Sequence, residues 1–446
     1  MMEAQYARHF AALSDDPLRN AFTARRAVMP FRGRTRIDPE QVPVRWGEAM
    51  AAPADVASER LAYVHVPFCA NHCLFCGFYR NAYTPAVAAD YVELVIRDLE
   101  REAESPVVRA GAVTAVYLGG GTPSALTADE LARLLAALRR HLPLAADCEI
   151  TVEGRIIHFD AEKIDACLEA GANRFSIGVQ SFDTEVRRRQ GRRASREEAV
   201  RFLEGVKARG SAALVIDLMY GLPGQTAAVW QRDLETATAL APDGIDLYGL
   251  NLIPGTPLYT AMEAGKFATA PTLADLGGYY RTGSDALDAL SWRQVSNNHW
   301  ARTPLERNRY NRLIKEGADC LAYGSGAGGS IGDLSYGLTG DLAAFGRSVE
   351  AGRKPIGMMM ASDGLRALRN RITGSLEQGW LDPAMFGPDL SVRLRPLFEQ
   401  WQAAGLLDLD DAGIALTTPG RFWYANLVAA LHDIAEAELL PRSAAA

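Results

Sequence analysis

Three of the chain's six cysteines, Cys69, Cys73 and Cys76, fall within eight residues of the stretch Tyr63 to Arg80, which reads Y-V-H-V-P-F-C-A-N-H-C-L-F-C-G-F-Y-R. A C-x3-C-x2-C loop offers three thiolates, the ligand set of a [4Fe-4S] cluster whose fourth iron has no protein ligand. Such an iron could chelate the amino and carboxylate groups of S-adenosylmethionine (SAM), and an electron passed into the sulfonium would release a 5'-deoxyadenosyl radical. Zinc would want a fourth Cys or His at ligand spacing, and His72, held between two of the cysteines, is poorly placed for it. An odd count of three argues against a disulfide framework. Cys148, Cys167 and Cys320 stand singly in apolar surroundings and read as inert core thiols in a reducing compartment.

The elements that must position this loop can be counted. Leu61 to Val66, Val113 to Leu118, Glu149 to Glu153, Arg174 to Val179, Ala213 to Leu218 and Ile245 to Leu250 are short apolar runs that read as buried parallel strands. Helices with legible starts lie between them. Thr84-Pro85 offers an N-cap followed by proline, Thr127 with Glu130 and Ser195 with Glu198 form capping boxes, and Asp160 and Thr226 cap two more. Six β/α units in succession predict an α/β partial barrel with crossover helices on one side. In such barrels chemistry gathers at the C-terminal ends of the strands. There the sequence places the cysteine loop, Gly119-Gly120-Gly121-Thr122-Pro123, Glu153, Gln180, Asp217 and Asn251, in strand order. A carboxylate closing an apolar strand is costly to bury unless a cation or hydrogen-bond donor meets it. Taken singly, each of these residues reads as well as a cap or loop residue; six at equivalent positions do not.

Composition narrows the partner. With 446 residues, 48% of them hydrophobic, the chain buries a large core. Its formal net charge of -7, with Lys and Arg scattered, disfavours nucleic acid and suits a small molecule. No run of apolar residues is long enough to cross a membrane, and Met1-Met2-Glu3-Ala4 does not open a secretory signal, so a cytoplasmic location is expected.

With its H-V-P-F-C lead and Phe75 before the last cysteine, the loop resembles that of the radical SAM superfamily. Gly119 to Pro123, Glu153, S-I-G-V-Q-S-F-D from Ser176, D-L-M-Y-G-L-P-G-Q from Asp217 and the stretch Asn251 to Pro257 resemble its coproporphyrinogen-oxidase-like branch, from about Leu61 to the C-terminus. That resemblance implies a (β/α)6 barrel with its extension over residues 61–361 and a small winged-helix-like C-terminal domain over 362–446; residues 1–60, which carry Pro17, Pro30, Pro39, Pro43 and Pro53 and show little periodicity, read as an N-terminal extension. It also implies that Cys69, Cys73 and Cys76 hold the cluster, and that Gly120, Gly121 and Thr122 with Glu153 grip the amino-acid end of SAM. Tyr63, Gln180, Arg192 and Asp217, with Asn251, would contact the rest of SAM; Arg193 could replace Arg192.

Three functions compete within the branch: oxygen-independent coproporphyrinogen III oxidase, heme chaperone and anaerobic heme-degrading radical SAM methyltransferase of the ChuW/HutW type. The oxidases carry a further cysteine two residues after the third cluster ligand, where this chain has Phe78. The chaperones begin near the first strand and carry H-N-x-x-Y-W before the last glycine turn. Here residues 1–60 precede that strand, and Glu306-Arg307-Asn308-Arg309-Tyr310-Asn311 stands where that histidine would be. V-E-G-R-I-I-H-F-D from Val152 also departs from the E-x-[ND]-P turn of both.

The resemblance therefore favours an enzyme that methylates and opens the heme macrocycle without oxygen and frees iron. It would use two SAM molecules and a low-potential electron donor such as flavodoxin or ferredoxin. Heme would need a flat apolar slot and an axial ligand, for which His299 is the first candidate, His158 the second and Met358-Met359-Met360 the third. A lone histidine is more often a hydrogen-bonded structural residue. Trp292 to Arg302 and the turn Gly324 to Gly329 would lie near the barrel mouth, against substrate or the second SAM.

Overall fold

The computed structural model describes residues 6–29, 31–52, 59–267, 270–410 and 413–440. Met1 to Ala4 of the sequence reading, Pro30 and Pro53 within its 1–60 extension, and Asp411-Ala412 within its C-terminal domain lie outside them. In chain order the main strands are β1 (Arg34–Arg36), β2 (Arg60–Val66), β3 (Val113–Gly120), β4 (Leu144–Gly154), β5 (Arg174–Gln180), β6 (Ala213–Tyr220), β7 (Gly244–Gly249), β8 (Arg293–Gln294), β9 (His299–Ala301), β10 (Asp319–Tyr323), β11 (Gly328–Ile331), β12 (Leu334–Leu338) and β13 (Ile356–Ser362). They form one sheet in the order β1-β13-β12-β11-β10-β2-β3-β4-β5-β6-β7-β9-β8.

The six expected strands are β2 to β7, parallel and adjacent in sequence order, as successive right-handed crossovers require. A seventh parallel strand, β10, joins the β2 edge. The sheet curves as a partial barrel rather than a closed one. Helices α1 (Val42–Ala51), α2 (Pro85–Glu102), α3 (Ala128–His141), α4 (Ala161–Glu169), α5 (Arg196–Lys207), α6 (Ala227–Leu240) and α7 (Leu273–Asp288) precede β8. Pro85 opens α2 after Thr84, whose side chain makes no cap bond. Thr127 with Glu130 and Ser195 with Glu198 close reciprocal capping boxes on α3 and α5, each stabilising its helix by about 1 kcal/mol. Asp160 and Thr226 cap α4 and α6.

Alternation along each strand decides which residues face the lumen. On the outer face Val64, Val116, Ile177, Ile216 and Leu247 join the core that packs under the helices. Inward positions carry Tyr63, Tyr117, Glu153, Ser176, Asp217 and Asp246. Helix α8 (Arg309–Glu316) brings Tyr310 to the lumen, where its ring lies 4.9 Å from Tyr117 and 6.2 Å from Tyr63. The buried Glu149 carboxylate accepts from the backbone N–H groups of Arg309 and Tyr310, both at 3.2 Å, so a lumen acid closes the N-terminus of this helix.

After β13 come α9 (Arg366–Glu377), β14 (Trp380–Leu381), a 3-10 turn at Pro383–Phe386, α10 (Pro388–Ala403) and the hairpin β15 (Leu407–Asp410) and β16 (Gly413–Leu416), followed by α11 (Tyr424–Leu439). Strand β14 pairs antiparallel with β16 and completes a three-stranded sheet with the hairpin. The N-terminal arm runs over this unit. Strand β1 pairs antiparallel with β13, Arg32 reaches Asp433 at 2.6 Å and Glu436 at 2.7 Å, and the Trp401 indole donates to the His9 carbonyl at 3.0 Å.

Candidate active site

The cysteine loop leaves β2 at Val66 and is pinned from across the barrel. The Leu74 N–H donates to the Gln190 carbonyl at 3.2 Å, and the Asn71 amide donates to the Gly191 carbonyl at 2.6 Å. Cys69 and Cys73 are buried and Cys76 is half-buried. Burial raises the Cys69 thiol above its ordinary value, and its Sγ lies 3.4 Å from Thr122 Oγ1. His72 stacks on Tyr79 at 4.3 Å with its Nε2 3.2 Å from the Cys76 carbonyl oxygen, so it belongs to the loop's own packing. Among the described residues no three His, Cys, Asp or Glu side chains converge as on a single metal ion. A cubane cluster distributes its thiolates over separate irons, which suits this donor set.

A cavity of about 460 Å³ opens beside the three sulfurs. Gly121, Thr122, Glu153, Gln180, Asp217 and Asn251 line it from the ends of β3 to β7 in order, and Arg192 joins them from the segment between β5 and α5. At Gly121 a Cβ would stand 2.7 Å from the Phe68 carbonyl oxygen, so the chain after β3 passes the cysteine loop with no room for a side chain. Glu153 accepts from the Tyr117 hydroxyl at 2.8 Å and from the Gly120 N–H at 3.2 Å, while burial raises its pKa. Asp217 is pushed up to about 8, first by burial and then by Asp246 and Glu153, and Ser176 Oγ lies 3.3 Å from it. Gln180 sits at φ 71°, and its Oε1, like Arg192 Nε, is buried without a partner. Two orphaned polar atoms on residues that line one cavity fit a polar ligand there. The Arg192 guanidinium donates to the Gly178 carbonyl at 2.5 Å and sits 5.7 Å over the Phe75 ring, whereas Arg193 is exposed and away from the cavity.

Other expected residues are not brought there. Tyr63 joins the tyrosine cluster at the lumen wall, its hydroxyl 3.1 Å from His65 Nδ1. Gly120 lends only its N–H to Glu153. The expectation of His299 as a heme ligand is corrected by its surroundings. It is 1% exposed, with Nδ1 3.1 Å from Asp246 and Nε2 3.2 Å from Glu306, so each ring nitrogen lies within ion-pair distance of a carboxylate, away from the cluster cavity. His158 is also displaced: it stands exposed on the loop after β4 at φ 72° and does not line the cavity. Met358 and Met359 line a separate cavity beside α1, on the far side of the β10 to β12 strands.

Sequence reasoning missed Arg155, Met219, Tyr248 and Ile253 as cavity residues. Met219 and Tyr248 follow Asp217 and Asp246 by two, and the period of a strand would have found them. Arg155 marks the departure from E-x-[ND]-P; it bonds the Asn71 carbonyl at 3.0 Å and sets a cation beside the cysteine loop. No helix among the described residues is long and apolar enough to cross a membrane.

Residues 63–237 match the radical SAM superfamily. Over 427 residues, 96% of this chain and 94% of the other, the sequence is 45% identical to anaerobilin synthase of Escherichia coli O157:H7. It is 32% identical over 270 residues to the heme chaperone HemW of Escherichia coli strain K12, 60% of this chain and 69% of that one. The fold matches coproporphyrinogen III oxidase (HemN) from Escherichia coli, a radical SAM enzyme, with a TM-score of 0.77 at 23% identity over 95% of this chain and 99% of that one.

Proposed function

The chain belongs to the radical SAM superfamily, and from that membership we propose that it is an anaerobic heme-opening enzyme that methylates the macrocycle and releases iron. The observation that carries this reading is the 45% identity to anaerobilin synthase across 96% of the chain, which takes in the arm and the C-terminal unit as well as the barrel. Phe78, 70% exposed on the rim of the cysteine loop, agrees with it, since the oxidase reading wants a cysteine there.

Cys69, Cys73 and Cys76 would hold a [4Fe-4S] cluster, which when bound supplies the electron that cleaves SAM reductively. The chain's own residues bind and orient. Gly121 opens the backbone beside the cluster loop, and Glu153, fixed by Tyr117 and Gly120, presents its carboxylate to the SAM ammonium group. Gln180 and Arg192 offer their unpartnered atoms to the SAM carboxylate and ribose, and Asp217 accepts from a ribose hydroxyl. Phe75, Met219, Tyr248 and Ile253 supply the apolar wall that a flat macrocycle needs, with Arg155 as a cation for a propionate. A second SAM would supply the methyl group, and a low-potential flavodoxin or ferredoxin the electrons. The cytoplasm, where such donors are kept reduced, is the location this chemistry calls for.

The test is anaerobic turnover. Reconstituted protein with SAM, a strong reductant and heme should lose the Soret band and yield both 5'-deoxyadenosine and S-adenosylhomocysteine, with label from the SAM methyl group in the tetrapyrrole. Intact heme with deoxyadenosine as the only nucleoside product would point to a chaperone; carbon dioxide released from coproporphyrinogen III would point to the oxidase.

A further inference from the structure

A chain of buried ionisable groups runs through the barrel lumen below the cluster cavity, and SAM binding accounts for none of it. At its base Arg174 on β5 pairs with Glu306 at 3.0 Å, and Glu306 lies 3.2 Å from His299 Nε2. His299 Nδ1 lies 3.1 Å from Asp246, and Asp246 stands directly opposite Asp217 in the β6–β7 register. Tyr248 stands two residues after Asp246 on β7, on the same face of the strand and against the same cavity. Room for the His299–Glu306 contact comes from Gly244, where a Cβ would fall 2.9 Å from atoms of both side chains.

Two cavities meet on this chain. Tyr248 and Asp246 line a smaller cavity of about 240 Å³ at the base of the barrel, with Asn308, Arg312 and Glu377 among its other walls. Tyr248, 41% exposed, also lines the cluster cavity.

We propose that His299, Asp246 and Tyr248 form a proton conduit from the basal cavity into the cluster cavity, serving iron release from the opened tetrapyrrole. This rests on the heme-opening reading. When iron leaves, each Fe–N bond that breaks leaves its electron pair on nitrogen. Two ring nitrogens each take a proton, and iron departs with its oxidation state unchanged, so two protons are consumed and no electron. A cavity that hosts radical chemistry benefits from excluding bulk water, which makes a side-chain route to those protons useful. The charged groups around His299 are Asp246 on β7, Glu306 ahead of α8 and, behind it, Arg174 on β5. Asp217 faces Asp246, and Glu377 with its partner Lys315 closes the basal cavity. Burial opposes the charge on His299, yet the two carboxylates prevail and hold it protonated up to about pH 9. The Tyr248 hydroxyl would give its proton to the substrate and be reprotonated from Asp246 and His299.

Tyr248→Phe and His299→Gln, each full length with cluster and SAM bound, test this under anaerobic turnover with heme. Tyr248→Phe changes a cavity wall and should leave folding intact; His299→Gln keeps the volume without a titrating proton. His299→Gln should form deoxyadenosine and methylated tetrapyrrole at parental rates while iron release, read with a chelating dye, slows about tenfold; for Tyr248→Phe, whose ring also walls the substrate cavity, the iron released per methylated tetrapyrrole should fall about tenfold, and in both the iron-bearing product should accumulate by mass. Iron release in the parent should slow in deuterium oxide and as pH rises through about 9, and His299→Gln should lose that pH dependence. A parent that consumes no heme would overturn both the functional reading and the conduit. A parent that turns over while both folded variants release iron at its rate and with its pH profile would overturn the conduit alone.

Discussion

At the scale of single residues, the site keeps acids where water would not choose to put them. Asp217 carries the cost most plainly, with a pKa of about 8 set first by burial and then by Asp246 and Glu153. An unfolded aspartate titrates near pH 4. Between about pH 4 and pH 8 the folded chain therefore holds a proton that the unfolded chain releases, so this site's contribution to stability falls as pH rises through that window and levels off above it. Asp217→Asn should remove this slope and make the SAM-free protein more stable than the parent above pH 8, by about 1 to 3 kcal/mol. It should also weaken SAM binding by about tenfold, because the amide replaces a carboxyl oxygen that accepts from the ribose with a group that is half donor. Glu153→Gln should weaken SAM binding likewise with cluster absorbance unchanged, since Gln offers a donor where Tyr117 and Gly120 already donate. Urea titrations across pH and SAM titrations measure both effects. Parental slopes together with parental affinities would show these carboxylates to be structural.

At the scale of elements, positions follow from how strands end against one another. Gly121 lies where the exit of β3 crosses the backbone of Phe68, and Gly121→Ala brings a methyl within 2.7 Å of a carbonyl oxygen that cannot swing aside. Displacing that backbone should cost about 1 to 3 kcal/mol and lower the iron retained after reconstitution, because Cys69 follows Phe68 directly. A variant with parental melting temperature and iron content would mean that the loop yields freely. The same strand logic explains what was legible in the sequence. Apolar runs with a polar residue at each end identified β2 to β7, and each end residue from Gly121 to Asn251 lines the cavity. Strand β10 was missed because Asp319 to Tyr323 is short and lies beyond the regular alternation, its place beside β2 being set by α8 crossing the barrel base. His299 was misjudged because nothing local in Asn298-His299-Trp300 announces Asp246 and Glu306; a buried histidine's partners are fixed by sheet order.

At the scale of the whole molecule, the N-terminal arm ties the two ends of the chain together. Its backbone supplies acceptors that the C-terminal unit lacks: the Trp423 indole donates to the Leu18 carbonyl at 2.9 Å, the Trp401 indole to that of His9 at 3.0 Å, and the Gln400 amide to that of Ala11 at 2.7 Å. Phe22 packs edge-on against Trp423 at 5.5 Å, and the Arg25 guanidinium lies 4.7 Å over Phe422. No described arm residue lines the cluster cavity, so in this arrangement the arm acts as a clasp rather than a cover. Deleting residues 1–52 would expose two tryptophans that are 0% and 1% accessible and strip partners from their indoles. An unpaired buried donor costs about 1 to 3 kcal/mol, and the lost aromatic burial adds about 2 kcal/mol per side chain. The truncated protein should melt at least several degrees below the parent and aggregate on warming. In the cold, whatever stays soluble should still take up the cluster and bind SAM, because the barrel residues that do so are untouched. Thermal melts with cluster absorbance and SAM titration decide it: an unchanged melting temperature would sink the clasp, and lost SAM binding with an unchanged melt would return the arm to the active site.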